Sequence, residues 1–154
     1  MRLTRALYRS WRNASTIILA ASSTRPGLMN YEVLMLKRSS QSSFFPSAYV
    51  FPGGKINQED YSEKWRQLYA RNGVETIEKT LPEIKIRAPM FVEKEYESTL
   101  PSDFAYRICA IRETFEESGV LIHRNTKELN EDDLKGWRKV VHDDASKFLD
   151  CCEE

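Results

Sequence analysis

Three glutamates, Glu113, Glu116 and Glu117, are spaced so that a helix would place all of them on one face. With about 3.6 residues per turn, positions i, i+3 and i+4 are neighbours on a helix surface. Like charges at this spacing destabilise a helix slightly unless a cation meets them. Hard divalent ions such as Mg²⁺ prefer carboxylate oxygens and keep positions open for phosphate oxygens. A solvated acidic surface accounts for the same pattern, because runs of charge usually face water.

The residues around these glutamates predict the helix that must position them. Ser102 is the expected N-cap, and Gly119 is the expected left-handed residue that ends the helix. Four apolar residues recur at helical spacing and predict the buried stripe: Phe104, Ile108, Ile111 and Phe115. The carboxylates lie off this stripe, so they can face a cleft. Residues 120–122, which follow the glycine, are apolar and predict a strand.

Upstream, three apolar segments predict strands that lead to a pair of glycines. Residues 14–22 predict a buried strand, residues 31–37 predict its neighbour, and residues 48–51 predict a brief strand that runs into Gly53 and Gly54. Glycines allow backbone N–H groups to approach a phosphate closely. A plain turn explains the same glycines, so the pair alone does not decide between the two roles.

The rest of the chain predicts mainly helices. Residues 60–63 resemble a capping box and predict a helix that passes through Trp65 and stops near Gly73. Residues 61–100 are expected to form an inserted surface segment with a short strand at residues 90–92. Residues 131–152 predict one or two helices, with His142 on their surface.

The composition limits the classes of protein that need to be considered. A chain of 154 residues with 41% apolar and 30% charged residues is typical of one globular domain, residues 1–154. The formal net charge is zero, which gives no basic footprint for nucleic acid. No apolar run approaches the length of a membrane span, so we expect no membrane association. The three cysteines lack the spacing of a disulfide framework or a zinc site, which favours an intracellular protein.

The first part of the chain is basic. Residues 1–31 contain five arginines and no acidic residue. This composition is typical of an organellar transit peptide. A short basic lead-in to the first strand explains it as well, and we favour that interpretation because the strand is predicted to begin near Ala14.

Residues 112–120, with the sequence RETFEESGV, resemble the second half of the Nudix box. Residues 51–54, FPGG, resemble the strand and glycine pair that open this box. Thr114 stands at a position that is usually apolar. Residues 55–111 separate the two halves, so the box is split by an expanded connection. The acid that the family places before the arginine would fall on Phe104, and we expect Asp103 or Glu59 to replace it.

The resemblance to Nudix hydrolases implies an α/β fold, an α/β/α sandwich with a mixed sheet that is incomplete at its C-terminal end. It implies hydrolysis of a diphosphate linked to a second group. Mg²⁺ or Mn²⁺ would be held by the three glutamates within residues 112–120, with Glu113 and Glu117 the preferred ligands. One carboxylate would act as general base, and Gly53 and Gly54 would offer a carbonyl ligand or phosphate contacts. Arg112 would pair with a neighbouring glutamate and fix its orientation.

A second motif matches the coenzyme A diphosphatases of this family in part. Residues 36–39, LKRS, resemble part of the pattern that precedes the glycine pair in coenzyme A diphosphatases of this family, which makes Arg38 a candidate phosphate-binding residue. Ser43 and Ser47 stand where that pattern has arginine and glycine. The resemblance covers the N-terminal half of such an enzyme.

The implied substrate is a small molecule, coenzyme A or acyl-CoA, and the products are 3′,5′-ADP and (acyl-)4′-phosphopantetheine. The implied location is the peroxisome or the mitochondrion. A nucleotide sugar or a dinucleotide as substrate, and a truncated binding module without activity, are the alternatives that stay open.

Overall fold

The computed structural model describes residues 12–23, 30–83, 86, 88–92, 96–123 and 130–154. The basic N-terminal segment lies outside the described residues up to residue 11. The strands are β1 Ala14–Thr16, β2 Ala20–Ser22, β3 Tyr31–Val33, β4 Leu36–Lys37, β5 Tyr49–Val50 and β6 Gly53–Lys55. The helices are α1 Lys64–Arg71, α2 Pro89–Val92, α3 Ser102–Ser118, α4 Glu131–Asp143 and α5 Lys147–Glu153, with 3₁₀ turns at Gln58–Tyr61 and Ile77–Thr80.

In the part of the chain that the structure describes, the strands form three separate two-stranded antiparallel ladders, β1 with β6, β2 with β3, and β4 with β5. The expected neighbours 14–22 and 31–37 do pair, through Ala20 and Val33. Each of these segments is divided into two strands rather than forming one. The prediction that 14–22 is buried was wrong, because its residues are exposed or half-buried and Ile18 is 62% exposed. Helices and short antiparallel sheets together are consistent with the α/β class.

The glycine pair lies in a strand, not in a turn. Gly53 and Gly54 belong to β6 and pair with Thr16 and Ser15 of β1. Gly53 has a φ of 154°, and a Cβ atom at this position would lie 2.3 Å from the carbonyl oxygen of Ser15. Since such an approach leaves no room for a side chain, the ladder itself requires glycine here.

Helix α3 follows the prediction closely. Phe104, Ile108 and Phe115 are buried, and Ile111 is half-buried. Gly119 has a φ of 78° and donates its N–H to the carbonyl oxygen of Phe115 at 2.8 Å, as a left-handed cap does.

The ends of α3 differ from the prediction in two ways. Pro101 is the N-cap, since its carbonyl oxygen accepts hydrogen bonds from the N–H groups of Phe104 and Ala105, so Ser102 is the first helical residue instead. Residues 120–122 do not form a strand, and they have no ladder partner within the described ranges. A strand needs a neighbour for its backbone groups, and apolar composition alone does not supply one.

The segment between the two halves of the box is more helical than expected. The capping box lies at Asn57 and Asp60, where it opens the 3₁₀ turn, and not at residues 60–63. Helix α1 begins after it and contains Trp65, as predicted. The prediction of a strand at residues 90–92 was wrong. The N–H of Phe91 donates to the carbonyl oxygen of Ala88 and closes a helical turn in α2.

The core consists mainly of helical residues. Residues 131–152 form two helices, α4 and α5, in agreement with the prediction. Large buried side chains from several helices and turns pack together in one cluster: Tyr61, Trp65, Ile77, Leu100, Phe104, Ile108, Phe115, Val141 and Phe148. Strands β1 and β6 lie against α3, which places the glycine pair beside the glutamate helix. No helix in the described part of the chain is long and apolar enough to cross a membrane.

Candidate active site

The two halves of the split box lie next to each other. The backbone N–H of Gly53 donates to Oε2 of Glu117 at 3.1 Å, across 64 positions of sequence. The thiol of Cys109, one helical turn before Glu113, lies 3.7 Å from the carbonyl oxygen of Gly54. Strand β6 and helix α3 are therefore joined at the residues that the sequence analysis selected.

Gly54 lies directly against a carboxylate. A Cβ atom built on Gly54 would lie 2.2 Å from Oε2 of Glu113, far inside van der Waals contact. Any larger residue at this position would push the Glu113 side chain away. The second glycine is thus needed for the close approach of backbone and carboxylate.

Arg112 forms ion pairs with the acidic side chains of the site. Its Nη1 donates to Oε1 of Glu113 at 3.0 Å and to Oε1 of Glu116 at 2.6 Å. Its Nη2 also donates to the carbonyl oxygen of Lys55 in β6, at 3.2 Å. The arginine is 3% exposed, so these contacts are shielded from water. The expected pairing of Arg112 with neighbouring glutamates is therefore observed.

The acid that pairs with Arg112 from outside the helix is Asp60. Its two carboxylate oxygens accept from Nε and Nη2 of Arg112, each at 2.9 Å, in a bidentate ion pair, and Asp60 is 1% exposed. The prediction of Glu59 or Asp103 for this position was wrong. Glu59 is exposed, and Asp103 lies at the far end of α3, about 15 Å along the helix axis from Glu113.

A sequence signal for Asp60 exists. The expanded connection lies between Asp60 and Arg112, so spacing counted back from the arginine leads into unrelated residues. Counting forward from Gly54 would have reached Asp60, which follows the glycine pair within one short turn.

Burial and charge shift the protonation equilibria of this group. Burial raises the pKa of Glu113 above its usual value, and the charge of Arg112 opposes the effect. Burial by itself would lower the pKa of Arg112, but the hydrogen bonds and charge of Asp60 raise it well above its usual value. Arg112 is therefore a permanent cation, while the Glu113 carboxylate is held in surroundings that penalise its negative charge.

Helix α4 reaches the same group of carboxylates from the other side. Arg138 donates from Nε to the carbonyl oxygen of Glu116 at 2.8 Å and from Nη2 to that of Glu117 at 2.5 Å. His142, one turn further on, places Nδ1 3.9 Å from Oε2 of Glu116. The imidazole is 73% exposed, which agrees with the expected surface position. Nothing in the local sequence pattern around Arg138 marks it as part of the site, so it was not among the predicted residues.

The residues present fit a divalent cation by their chemistry. Among the described residues, one guanidinium, that of Arg112, contacts the carboxylate oxygens of this group, which has four members: Asp60, Glu113, Glu116 and Glu117. Their oxygens are the hard donors that Mg²⁺ and Mn²⁺ prefer. Within the described ranges, no three His, Cys, Asp or Glu side chains converge to hold a metal ion as they stand. The carboxylates are bound instead to Arg112 and to the Gly53 N–H.

Arg38 lies apart from this group in the sequence and in its contacts. It follows β4, and its Nη2 donates to Oγ of Ser42 at 2.8 Å. Its guanidinium carbon is 5.9 Å from the centre of the Phe44 ring. Arg38 therefore braces the β4–β5 connection, in which Phe44 is 64% exposed.

Comparison with known proteins identifies the family of the chain. A family model described as the NUDT19 Nudix domain matches residues 11–154, so the chain belongs to the Nudix domain family of that description. The resemblance of the split box to Nudix hydrolases is thereby confirmed. No solved structure matches the chain at a significant level.

Among curated proteins, the chain is similar to acyl-coenzyme A diphosphatase NUDT19 of several vertebrates. It is 34% identical to the Xenopus laevis protein, over 94% of this chain and 47% of that protein. It is 37% identical to the Gallus gallus protein, over 94% of this chain and 45% of that protein. The Homo sapiens protein is 32% identical over 92% of this chain. The chain spans about half the length of the curated relatives it matches.

Proposed function

We propose that this protein is a metal-dependent Nudix diphosphatase that hydrolyses coenzyme A and acyl-CoA. The observation that carries the proposal is the contact between the two halves of the box, where the Gly53 N–H meets the Glu117 carboxylate. A backbone that can approach a phosphate and a group of acidic side chains thus share one site. The curated relatives are named acyl-coenzyme A diphosphatases, which supports the choice of substrate.

Glu113, Glu116 and Glu117 would hold the cation in this proposal. Nudix hydrolases generally use divalent metals, and a bound Mg²⁺ or Mn²⁺ would neutralise the diphosphate and lower the pKa of a bound water. Arg112 fixes Glu113 and Glu116 in orientation through its donated hydrogen bonds. One of the three carboxylates would also accept the proton of the attacking water.

The substrate's diphosphate would lie along the glycine strand. Gly53 and Gly54 lie against the Glu117 and Glu113 carboxylates, so a diphosphate beside them would also meet the cation, and Arg38 would contact a phosphate of the substrate. Water adds to one phosphorus atom as the bridging P–O bond breaks. The products are 3′,5′-ADP and (acyl-)4′-phosphopantetheine.

The proposal predicts that Mg²⁺-dependent release of 3′,5′-ADP from coenzyme A is lost in Glu117→Gln and in Glu113→Gln. We expect Glu113→Gln to fold normally, because burial already disfavours the charge that the substitution removes. Glu131→Gln is the matched control, since the Glu131 side chain is 90% exposed on α4. Unchanged turnover in both site variants, or a large loss of melting temperature in metal-free Glu113→Gln, would contradict the assignment.

A panel of substrates separates the alternatives. Release of nucleotide products from a nucleotide sugar or a dinucleotide, without turnover of coenzyme A, would replace the substrate and keep the chemistry. No turnover of any diphosphate by folded, metal-loaded protein would leave a binding module without activity.

The domain organisation and the location are also part of the proposal. The exposed apolar side chains of the strands support further polypeptide over them, of the kind that occupies the other half of the relatives. Such polypeptide would complete the α/β/α sandwich and its mixed sheet. A peroxisomal or mitochondrial location rests on the family resemblance alone.

A further inference from the structure

The last turn of α3 is held by a residue from α4. The final carbonyl groups of a helix have no partners within the helix. The Gly119 N–H donates to the carbonyl oxygen of Phe115. The carbonyl oxygen of Glu116 accepts from Nε of Arg138 at 2.8 Å, and the carbonyl oxygen of Glu117 accepts from Nη2 at 2.5 Å. Arg138 thus binds the main chain of two consecutive residues whose side chains are the candidate metal ligands.

Arginine suits this position better than lysine does. Nε and Nη2 lie on one edge of a planar guanidinium, so they can bind two neighbouring oxygens in a fixed geometry. A positive charge at the C-terminal end of a helix is also favoured by the helix dipole. The side chain of Arg138 lies over Gly119, with its Cδ 3.6 Å from the point where a Cβ would be.

The carboxylates of the held residues extend toward the other half of the box. Glu116 accepts from Arg112 at 2.6 Å, and Glu117 accepts from the Gly53 N–H at 3.1 Å. Helix ends fray when their terminal groups are free. Fraying of this turn would displace both carboxylates at once, because they stand on adjacent residues.

We propose that Arg138 is a positioning residue that fixes the main chain of Glu116 and Glu117, so that their carboxylates keep the geometry that binds a divalent cation. Arg138 lies outside the Nudix box, and it contacts Glu116 and Glu117 at their carbonyl oxygens rather than at their carboxylates. The inference rests on the proposed function, because it takes Glu116 and Glu117 as metal ligands.

The test is a titration of the protein with Mn²⁺ in the absence of substrate. Calorimetry measures the heat of binding, and electron paramagnetic resonance measures the concentration of the free ion. Arg138→Lys keeps the charge and the stem but loses the fork, and we expect its Mn²⁺ affinity to fall about tenfold. Arg138→Gln, which loses the charge as well, should fall further. Lys139→Gln, the exposed neighbour on α4, is the matched control and should bind as the unsubstituted protein does.

A purely structural role for Arg138 would lower the melting temperature without changing the Mn²⁺ affinity of the folded protein. Affinity within twofold of the unsubstituted protein in folded Arg138→Lys would therefore overturn the inference. The same titration of Glu117→Gln separates this failure from failure of the proposed function. If Glu117→Gln and Glu113→Gln also bind Mn²⁺ normally, the ligand assignment is wrong and the inference falls with it.

Discussion

Asp60 and Arg112 show how much a single pair contributes to the site. Their bidentate contact is almost fully buried, and it crosses from the segment after the glycines to the acidic helix. Nη1 of Arg112 donates to Glu113 and Glu116, and Nη2 donates to the carbonyl oxygen of Lys55 as well. The orientation of two candidate ligands therefore depends on an acid that lies outside the helix.

We predict that Asp60→Asn lowers the free energy of unfolding by about 3 kcal/mol, because Arg112 keeps its buried charge but loses its bidentate, fully buried anionic partner. Urea denaturation at neutral pH measures the loss. Glu59→Gln is the control next to it, and as an exposed substitution it should change stability by less than about 0.5 kcal/mol. Equal losses in the two variants would show that the buried ion pair has no special weight.

At the scale of elements, Glu63 closes the long connection between the halves of the box. Its Oε1 accepts from the backbone N–H groups of Thr99 and Leu100, and from the hydroxyls of Ser98 and Thr99. The start of α1 is thereby tied to the residues that precede α3. Arg66, one turn further along α1, adds bonds to Glu78 and to the carbonyl oxygen of Thr99.

This closure predicts a pH effect on stability. Desolvation would raise the pKa of Glu63, but the hydrogen bonds from Thr99, Ser98 and Leu100 lower it from 4.5 to about 2. A lowered carboxyl pKa stabilises the fold above pH 4.5, and this stabilisation is lost as the pH falls toward 2.

Glu63→Gln should therefore cost about 1 kcal/mol at pH 7, a value reduced for the exposure of the side chain. It should also flatten the decline of stability between pH 4.5 and 2. Urea denaturation at a series of pH values measures both effects, with the exposed Glu97→Gln as control. A decline as steep as that of the unsubstituted protein would contradict this role for Glu63.

At the scale of the whole molecule, the strands and the helices differ in how well they are covered. The buried cluster is formed mainly by helical residues, whereas β1–β5 contain no buried residue. Large apolar side chains on or beside the strands are exposed, among them Ile18 at 62%, Tyr31 at 53% and Tyr49 at 64%. Exposed apolar side chains mark places where other polypeptide binds when they form a contiguous patch, and the proposed covering of the strands takes these residues as such a patch.

We predict that Ile18→Ser leaves the stability of this chain nearly unchanged but weakens binding of a polypeptide equivalent to the second half of a curated relative. Copurification of the two tagged polypeptides after coexpression measures the binding. Val140→Ser is the matched control, since Val140 is 43% exposed on helix α4. Absence of binding by the unsubstituted chain, or equal losses in both variants, would contradict the proposed covering of the strands.

The sequence by itself determined the features that depend on near neighbours. The apolar stripe of α3, its left-handed cap at Gly119 and the common face of the glutamates all follow from helical periodicity and from the freedom of glycine. The family could be identified for the same reason, because the nine residues 112–120 are contiguous.

Only the tertiary structure decided the contacts between distant residues. Asp60 pairs with Arg112 across 52 positions of sequence, and Gly53 lies in a strand that pairs with β1. Arg138 donates to the carbonyl oxygens of Glu116 and Glu117. A count forward from the glycine pair marks Asp60, but no local pattern encodes the contacts themselves, since each depends on how separate elements pack. The acidic face of α3 became a candidate site through β6 on one side and α4 on the other, and that arrangement exists only in the folded chain.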